Sequence, residues 1–118
     1  MDDVKLEMIL CIVNTGFSET AMEAARQCGA GGGTVLRARG TANAMAEKTF
    51  QITVQPEKEI VMILVPVEKR NDILHALYRA VGQNTPGHGI VVALPVDESV
   101  GIGRKTEKPS PAPQENRP

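Results

Sequence analysis

The chain alternates between short apolar runs and segments whose apolar residues recur at helical spacing. Residues 8–13 and 60–65 are uninterrupted apolar runs, too short for helices and therefore predicted as buried strands. Residues 34–39 and 90–94 predict two further strands. Residues 18–28 carry apolar side chains every three or four positions, which predicts a helix, and a second helix with the same spacing ends at Gly82.

Three further residues mark the ends of these elements. Ser18 predicts the N-cap of the first helix, because a serine hydroxyl can accept a hydrogen bond from a free N–H group there. Gly29 predicts the C-terminal stop of the same helix. Pro95 suits a strand at the edge of a sheet, since proline has no N–H group to donate.

This order of elements predicts an α+β fold, the ferredoxin-like βαββαβ plait, in which an antiparallel sheet carries both helices on one face. The first and third strands are then the central pair, and about three apolar side chains of each face away from the helices. Leaving six such side chains in water forfeits on the order of 10 kcal/mol, as much as the net stability of a small domain. We therefore expect a homo-oligomer in which other copies of the chain cover this face.

The composition of the 118-residue chain changes near Arg104. Residues 1–103 are predicted to form one folded domain, in which residues 40–57 are polar and irregular except for a short extended segment at 49–54. Residues 104–118 contain several prolines and no large apolar side chain, so they cannot bury enough surface to offset the entropy of ordering. They predict a disordered tail.

Charge and composition exclude several classes of protein. The formal net charge is -1, whereas a sequence-independent nucleic-acid binder needs an excess of cations. Aromatic residues make up 3% of the chain and are missing from the predicted central strands, where an RNA-recognition sheet needs them. The apolar runs are shorter than the roughly 20 residues that cross a bilayer, and the acidic N-terminus lacks the pattern of a signal peptide. We expect a cytoplasmic protein that neither binds nucleic acid nor enters a membrane.

Two glycine-rich segments are candidate anion sites. Residues 29–33 follow a helix and precede a strand, the reverse of the order in phosphate loops, so they predict a helix stop and a turn. In residues 83–89, two glycines flank His88, and consecutive N–H groups there can form a nest for an anion. A connecting turn explains the same composition and is the preferred interpretation.

The histidines and cysteines give no catalytic or metal-binding pattern. His75 and His88 lack partners at metal-ligand spacing, and no nucleophile–base–acid set is visible by spacing. Cys11 and Cys28 lie in apolar stretches, which indicates reduced thiols in the core. We expect no metal and no enzymatic activity.

Three segments resemble the P-II signal-transduction proteins: GGTVLRARG at residues 32–40, KEIVMILV at 58–65 and TPGHGI at 85–90. They are similar to the second strand with its T-loop entry, the third strand, and the B-loop with the fourth strand. The resemblance follows chain order over roughly residues 4–103. It implies a cytosolic trimer that binds adenine nucleotides in clefts between subunits. Such a trimer regulates transporters, enzymes or transcription through its T-loop, with nitrogen regulation as the commonest theme.

The resemblance assigns site residues by position. The T-loop corresponds to residues 40–57 and the B-loop to residues 83–89. The residues implied to bind ADP, AMP or ATP are Thr34, Gly40, Thr41 and the Ile63 and Leu64 backbone near the base, Gly87, His88 and Gly89 at the phosphates, and Arg104. The residues implied to bind a partner protein are Thr41, Asn43, Met45, Glu47, Lys48 and Phe50.

Departures from the family pattern bear on this assignment. Ile90 stands where the B-loop usually has a lysine, and the basic pair of the C-terminal segment is reduced to Arg104. The T-loop is shorter and has no tyrosine for uridylylation. Each missing charge-assisted hydrogen bond removes roughly 1.5–3 kcal/mol, so two losses weaken triphosphate binding by roughly several hundredfold or more. The protein then prefers ADP or AMP, uses another small effector, or has lost nucleotide binding.

Two hypotheses from different classes follow. In the first, a non-catalytic regulatory trimer binds a small effector between subunits, which orders residues 40–57 and changes partner binding. In the second, a structural or scaffolding trimer that has lost nucleotide binding docks constitutively. A third hypothesis, an enzyme that uses His88 as acid–base, has only that residue to support it.

Overall fold

A computed structural model describes residues 5–41 and 56–102. The elements in these ranges are β1 (Leu6–Asn14), α1 (Ser18–Gln27), β2 (Thr34–Arg39), β3 (Glu57–Pro66), a 3-10 turn (Val67–Lys69), α2 (Arg70–Val81) and β4 (Ile90–Pro95). The predicted extended segment 49–54 and the predicted tail 104–118 lie outside the described residues. In the part of the chain that is described, neither helix is long and apolar enough to cross a membrane.

The four strands form one antiparallel sheet in the order β2-β3-β1-β4. This confirms the ferredoxin-like plait, with β1 and β3 as the central pair and Pro95 on an edge strand. Ile9 lies opposite Ile63, and Cys11 opposite Val61. Because side chains alternate along a strand, the odd-numbered residues of β1 and β3 share one face of the sheet.

Both helices pack on this odd-numbered face, called here the helix face. From the sheet, the fully buried residues are Ile9, Cys11, Val13, Val61, Ile63 and Val65. From the helices, the buried residues in the same cluster are Ala21, Met22, Ala25, Ile73, Leu77 and Val81. These aliphatic and small side chains form a single core, against which the partly buried ring of Phe17 packs.

The even-numbered face, called here the open face, is also apolar. Its side chains form three rows across the sheet: Leu94–Met8–Leu64, Val92–Leu10–Met62 and Ile90–Ile12–Ile60–Leu36. On the outer strands, Leu36, Ile90, Val92 and Leu94 are between 40% and 53% exposed. The members of these rows that lie on the central strands β1 and β3 are half-buried. The predicted apolar face opposite the helices is therefore present.

Gly29 is confirmed as the stop of α1. It has a φ of +100°, which favours glycine because it carries no Cβ. Its N–H donates to Arg26 O at 2.9 Å, and the Ala30 N–H donates to Ala25 O at 3.0 Å. These two bonds are the Schellman motif, which satisfies carbonyls that the helix end leaves free.

The predicted N-cap of α1 is wrong. The helix begins at Ser18 with Phe17 as its N-cap, and no N-cap side chain bonds to it. Instead, Glu59 of β3 supplies the acceptor: its Oε1 receives hydrogen bonds from the N–H groups of Gly16 and Ser18, at 3.2 and 3.3 Å. A carboxylate is favourable there because the N-terminus of a helix carries partial positive charge.

Candidate functional site

The residues predicted to bind a nucleotide fall into two groups at opposite ends of the sheet. The first group comprises Gly40, Thr41, Gly87, His88 and Gly89, and the second comprises Thr34, Ile63 and Leu64. Thr41, also predicted to bind a partner, is exposed. Arg104, which is predicted to bind the nucleotide, lies outside the described residues. So do the remaining residues predicted to bind a partner: Asn43, Met45, Glu47, Lys48 and Phe50.

The first group centres on residues 83–89, called here the α2–β4 loop, whose N–H groups are hydrogen-bonded inside the chain. The Gly87 N–H donates to Thr85 Oγ1 at 3.2 Å. The His88 N–H donates to Thr85 O at 3.0 Å, and the Gly89 N–H to Val81 O at 2.6 Å. In this conformation the segment is the connecting turn that the sequence favoured, and these three amides are not free to form an anion nest.

Gly87 and Gly89 allow the α2–β4 loop to approach the end of α2. A Cβ on Gly89 would collide with Val81 O, the atom to which the Gly89 N–H donates. A Cβ on Gly87 would lie 3.1 Å from the Cβ of Val81. Close packing therefore explains both glycines, a role that the sequence did not separate from anion binding.

His88 is exposed and has a φ of +45°, in the left-handed region. A residue with a Cβ occupies that region at a cost of roughly 1–2 kcal/mol. The Gln83 side chain holds the backbone in place, because its Nε2 donates to His88 O at 3.2 Å and to Gly89 O at 3.1 Å. The imidazole thus extends outward from a fixed turn.

Asn14, the last residue of β1, joins the α2–β4 loop to β3. It is only 7% exposed. Its backbone N–H donates to Gly87 O at 2.9 Å, and its Nδ2 donates to Pro86 O at 3.1 Å. Its Oδ1 accepts a hydrogen bond of 2.7 Å from Lys58 Nζ. The sequence analysis missed Asn14, because this bridge depends on a strand register that brings Asn14 opposite Lys58.

Gly40 lies beside Lys58 at the same end of the sheet. The Gly40 N–H donates to Pro56 O at 2.6 Å, so the chain leaves β2 and returns to β3 at one point. A Cβ on Gly40 would lie 3.2 Å from Lys58 Cε. Lys58 therefore lies beside the entry to the predicted T-loop, and Asn14 links Lys58 to the α2–β4 loop.

The second group lines a crevice of about 320 Å³ whose surface is about equally polar and apolar. Thr34 and Leu64 belong to it, and its other lining residues are Met8, Gly32, Gly33 and Met62. The side chain of Ile63 is fully buried on the helix face, so only its backbone can contribute here, as the prediction stated. Gly33 is required for close approach, because a Cβ there would lie 2.7 Å from Met62 O.

The outer edge of β3 is open at this crevice. Strand β2 pairs with β3 only as far as Thr34, which lies opposite Met62. Met62 O points toward Gly33, and backbone groups of alternate residues point the same way along a strand. The N–H and C=O of Leu64 therefore face the same edge, beyond the end of the pairing. An adjacent donor and acceptor between apolar walls can bind a planar heteroaromatic ring.

Residues of both groups border the open face: Gly40, which lies beside Lys58, and Thr34 with Leu64. Gly87 and Gly89 instead pack against Val81 on the helix-face side. Thr34 pairs with Met62 and Ala38 with Lys58, a separation of four residues or about 13 Å along the strand. The even-numbered positions Thr34, Lys58 and Leu64 all lie on the open-face side of the sheet. If other copies cover that face, Gly40, Thr34 and Leu64 lie at the boundary between subunits.

A larger cavity of about 860 Å³ lies beyond the end of β4 and contains none of the predicted site residues. Its lining includes Lys5, Glu7 and Asp97. Glu7 Oε2 forms an ion pair of 2.9 Å with Arg70 Nη1, which ties the start of α2 to β1. This end of the molecule is therefore held by structural contacts.

The cysteines are free and differ in burial. Burial raises the pKa of the Cys11 thiol to about 11, so this thiol is protonated at neutral pH and serves the core. Cys28 is half-buried, with its Sγ 3.8 Å from Asp72 O. Residues 5–41 and 56–102 contain no group of three or more His, Cys, Asp or Glu residues placed to hold a metal ion.

No family model matches the sequence, and no curated protein matches it. Solved structures do match its fold. PII from Arabidopsis thaliana bound to citrate has a TM-score of 0.59 and 21% identity, over 80% of this chain and 77% of that one. A protein from Thermus thermophilus described as PII-like and signalling has a TM-score of 0.61 and 20% identity, over 81% of this chain and 90% of that one.

A Bacillus cereus protein related to NIF3 has a TM-score of 0.63 and 14% identity. The match covers 83% of this chain but only 27% of that protein, so this chain spans about a quarter of its length. The molecule therefore has the ferredoxin-like fold of PII proteins in a divergent form. The resemblance found in the sequence is confirmed at the level of fold.

Proposed function

We propose that this protein is a non-catalytic PII-like regulator that works as a homotrimer. It binds an adenine nucleotide (ADP, AMP or ATP) or a related small effector in the clefts between subunits, and it controls a partner protein through residues 40–57. The observation that carries the proposal is that residues of both predicted ligand-binding groups, Gly40 from the first and Thr34 with Leu64 from the second, border the apolar open face.

The open face supports assembly. Burying apolar surface contributes roughly 25 cal/mol per Å², and the three rows of the open face offer ten large side chains for burial. A monomer that left these side chains in water would be poorly stabilised, because its single core contains few large residues. Closed symmetry with other copies buries them without creating a new exposed face.

The crevice beside Thr34 supports recognition of a base. Met8 and Met62 contribute apolar side chains to its walls, and the Leu64 backbone offers a donor and an acceptor at the open edge of β3. An adenine ring can stack between such walls and pair with such an edge. The Arabidopsis neighbour is bound to citrate, which supports a small anionic effector as the wider class.

The test is calorimetric titration of the full chain with ATP, ADP, AMP and adenosine, combined with a substitution that fills the crevice. Gly32 lines the crevice and Gly31 does not, and a Cβ at either position meets nothing within 4 Å. We expect Gly32→Phe to weaken binding about tenfold or more. Gly31→Phe is the matched control and should bind as the wild type does.

Two results would count against the proposal. If the wild-type protein gives no heat with any of the four ligands, the proposal that its effector is an adenine nucleotide is wrong. If a partner protein binds equally well with and without the nucleotide, the protein is a scaffold. The scaffold hypothesis has its own support, since the N–H groups of Gly87, His88 and Gly89 are all engaged within the chain.

A further inference from the structure

Two methionines, Met8 and Met62, line the crevice beside Thr34. Met8 lies opposite Leu64, and Met62 lies opposite Leu10, so the two methionines are diagonal neighbours on the open face. Diagonal neighbours of an antiparallel pair are about 7–8 Å apart, which is within reach of long side chains. Both methionines are half-buried. The crevice therefore brings two partly accessible thioethers together.

Met22 is the third methionine of residues 5–41 and 56–102, and it serves as an internal comparison. It belongs to the core on the helix face and is only 6% exposed. Its Sδ lies 3.1 Å from the position that a Cβ on Gly33 would take, and Gly33 lines the crevice. The three methionines are thus close in space and share the same chemistry, but they differ in their access to solvent.

The crevice is large enough to admit a small oxidant. Its volume of about 320 Å³ is many times the roughly 30 Å³ that one water molecule occupies in the liquid, and hydrogen peroxide is only slightly larger than water. In the proposed oligomer the crevice stays reachable, because an effector has to enter it. Met22, in contrast, is reached only when the structure opens locally.

Peroxide converts a thioether to a sulfoxide. A lone pair of the sulfur forms the new S–O bond and the O–O bond breaks. The second oxygen leaves as water after a proton moves between the two peroxide oxygens, so the sulfur loses two electrons and the peroxide gains them. The product is polar, and burying a polar group without a hydrogen-bond partner is unfavourable. Oxidation of Met8 or Met62 therefore opposes the burial of the open face.

We infer that Met8 and Met62 form a peroxide-sensitive modification site, and that their oxidation to sulfoxides separates the subunits that meet at the open face. The part of the inference that concerns assembly rests on the proposed function. The other side chains in the three rows of the open face are leucine, isoleucine or valine, which contain no sulfur. The sensitivity of these rows is therefore confined to the two methionines at the crevice.

The experiment treats the full chain with hydrogen peroxide, follows each methionine by peptide mass spectrometry and follows assembly by light scattering. In the wild type, Met8 and Met62 should oxidise about tenfold or more faster than Met22, because only Met22 requires local opening. The mass in solution should fall as they oxidise. The double variant Met8→Leu with Met62→Leu should keep its mass, since the exchange nearly conserves volume. Met22→Leu is the matched control and should lose mass as the wild type does.

The double variant retains both cysteines and the other methionines, so it accounts for oxidation elsewhere in the chain. If Met8 and Met62 oxidise no faster than Met22, the crevice is not the modification site. If they oxidise faster but the mass stays constant, or if the double variant dissociates as the wild type does, their oxidation does not control assembly.

Failure of the proposed function gives a different result. If the wild-type protein is a single chain before peroxide is added, the proposed homotrimer is wrong, and the control of assembly by oxidation is wrong with it. The relative oxidation rates of Met8, Met62 and Met22 still decide in that case whether the crevice is the modification site.

Discussion

The two faces of the sheet are built from the same kinds of residue but have different neighbours. On the helix face, Ile9 and Cys11 are fully buried under α1 and α2. On the open face, Val92 and Leu94 remain 40% and 45% exposed. Among residues 5–41 and 56–102, the chain thus carries apolar surface for two cores and covers only one of them. In the proposed oligomer, the second core forms between molecules.

Neighbouring residues of one strand belong to different faces of the sheet. Ile9 contacts the helices, while Leu10 lies between Val92 and Met62 on the open face. Strand alternation, rather than residue type, decides which of them packs in the core of the subunit and which lies on the open face, the surface of the proposed assembly. Substitutions on the two faces should therefore change different measured quantities.

The largest expected effect follows from a charge at the centre of the open face. Leu10→Lys would place an unpaired ammonium between Val92 and Met62, and burying such a charge against apolar neighbours is prohibitive. We expect the mass in solution, measured by light scattering, to fall from that of an oligomer to that of a single chain. If the wild-type protein is already a stable single chain in dilute solution, the open face is not an interface.

The matched substitution on the helix side is Leu77→Ala. Leu77 is fully buried against the sheet, and removing its side chain leaves a cavity that costs about 2–5 kcal/mol of unfolding free energy. Urea unfolding should show this loss, while light scattering should still give the mass of the oligomer. A fall in mass without a loss of stability would mean that the two faces are not separable.

Cys11 allows the helix face to be probed by pH. Burial raises its pKa from 9.0 to about 11, so the folded chain holds the thiol proton more tightly than the unfolded chain does. The resulting stabilisation is fully present below pH 9 and is lost as the pH rises through about 11. The loss amounts to at most about 3 kcal/mol.

The measurement is urea unfolding of the wild type and of Cys11→Ala between about pH 8 and about pH 11, the range that brackets the thiol titration. The wild type should lose more stability than the variant over this range, and the difference between the two curves isolates the thiol from other groups that titrate there. Parallel curves would show that water reaches Cys11, and the helix face would then be less well closed than its burial indicates.

Periodicity in the sequence was sufficient to predict the layout of the sheet. The apolar runs predicted the two central strands and the apolar face opposite the helices, and Gly29 predicted the end of α1. Contacts that depend on strand register could not be predicted. Asn14 bridges Lys58 and the α2–β4 loop across more than 40 residues, and Glu59 caps α1 from a distant strand. The hydrogen bonds of the amides in the α2–β4 loop could not be predicted either. They depend on how the loop packs against the end of α2, where the Gly89 N–H donates to Val81 O.

The smallest expected effect tests the Glu59 cap. Glu59→Gln removes the negative charge that faces the Gly16 and Ser18 N–H groups, so we expect a loss of about 0.5–1 kcal/mol in unfolding free energy with no change in oligomer mass. Glu57→Gln is the matched control, because both glutamates lie on the helix-face side of β3 opposite an arginine of β2. The control therefore removes a charge at an equivalent position of the same strand, and urea unfolding in low salt should show a larger loss for Glu59→Gln. Equal losses would mean that the charge on the Glu59 carboxylate adds nothing to the capping of α1.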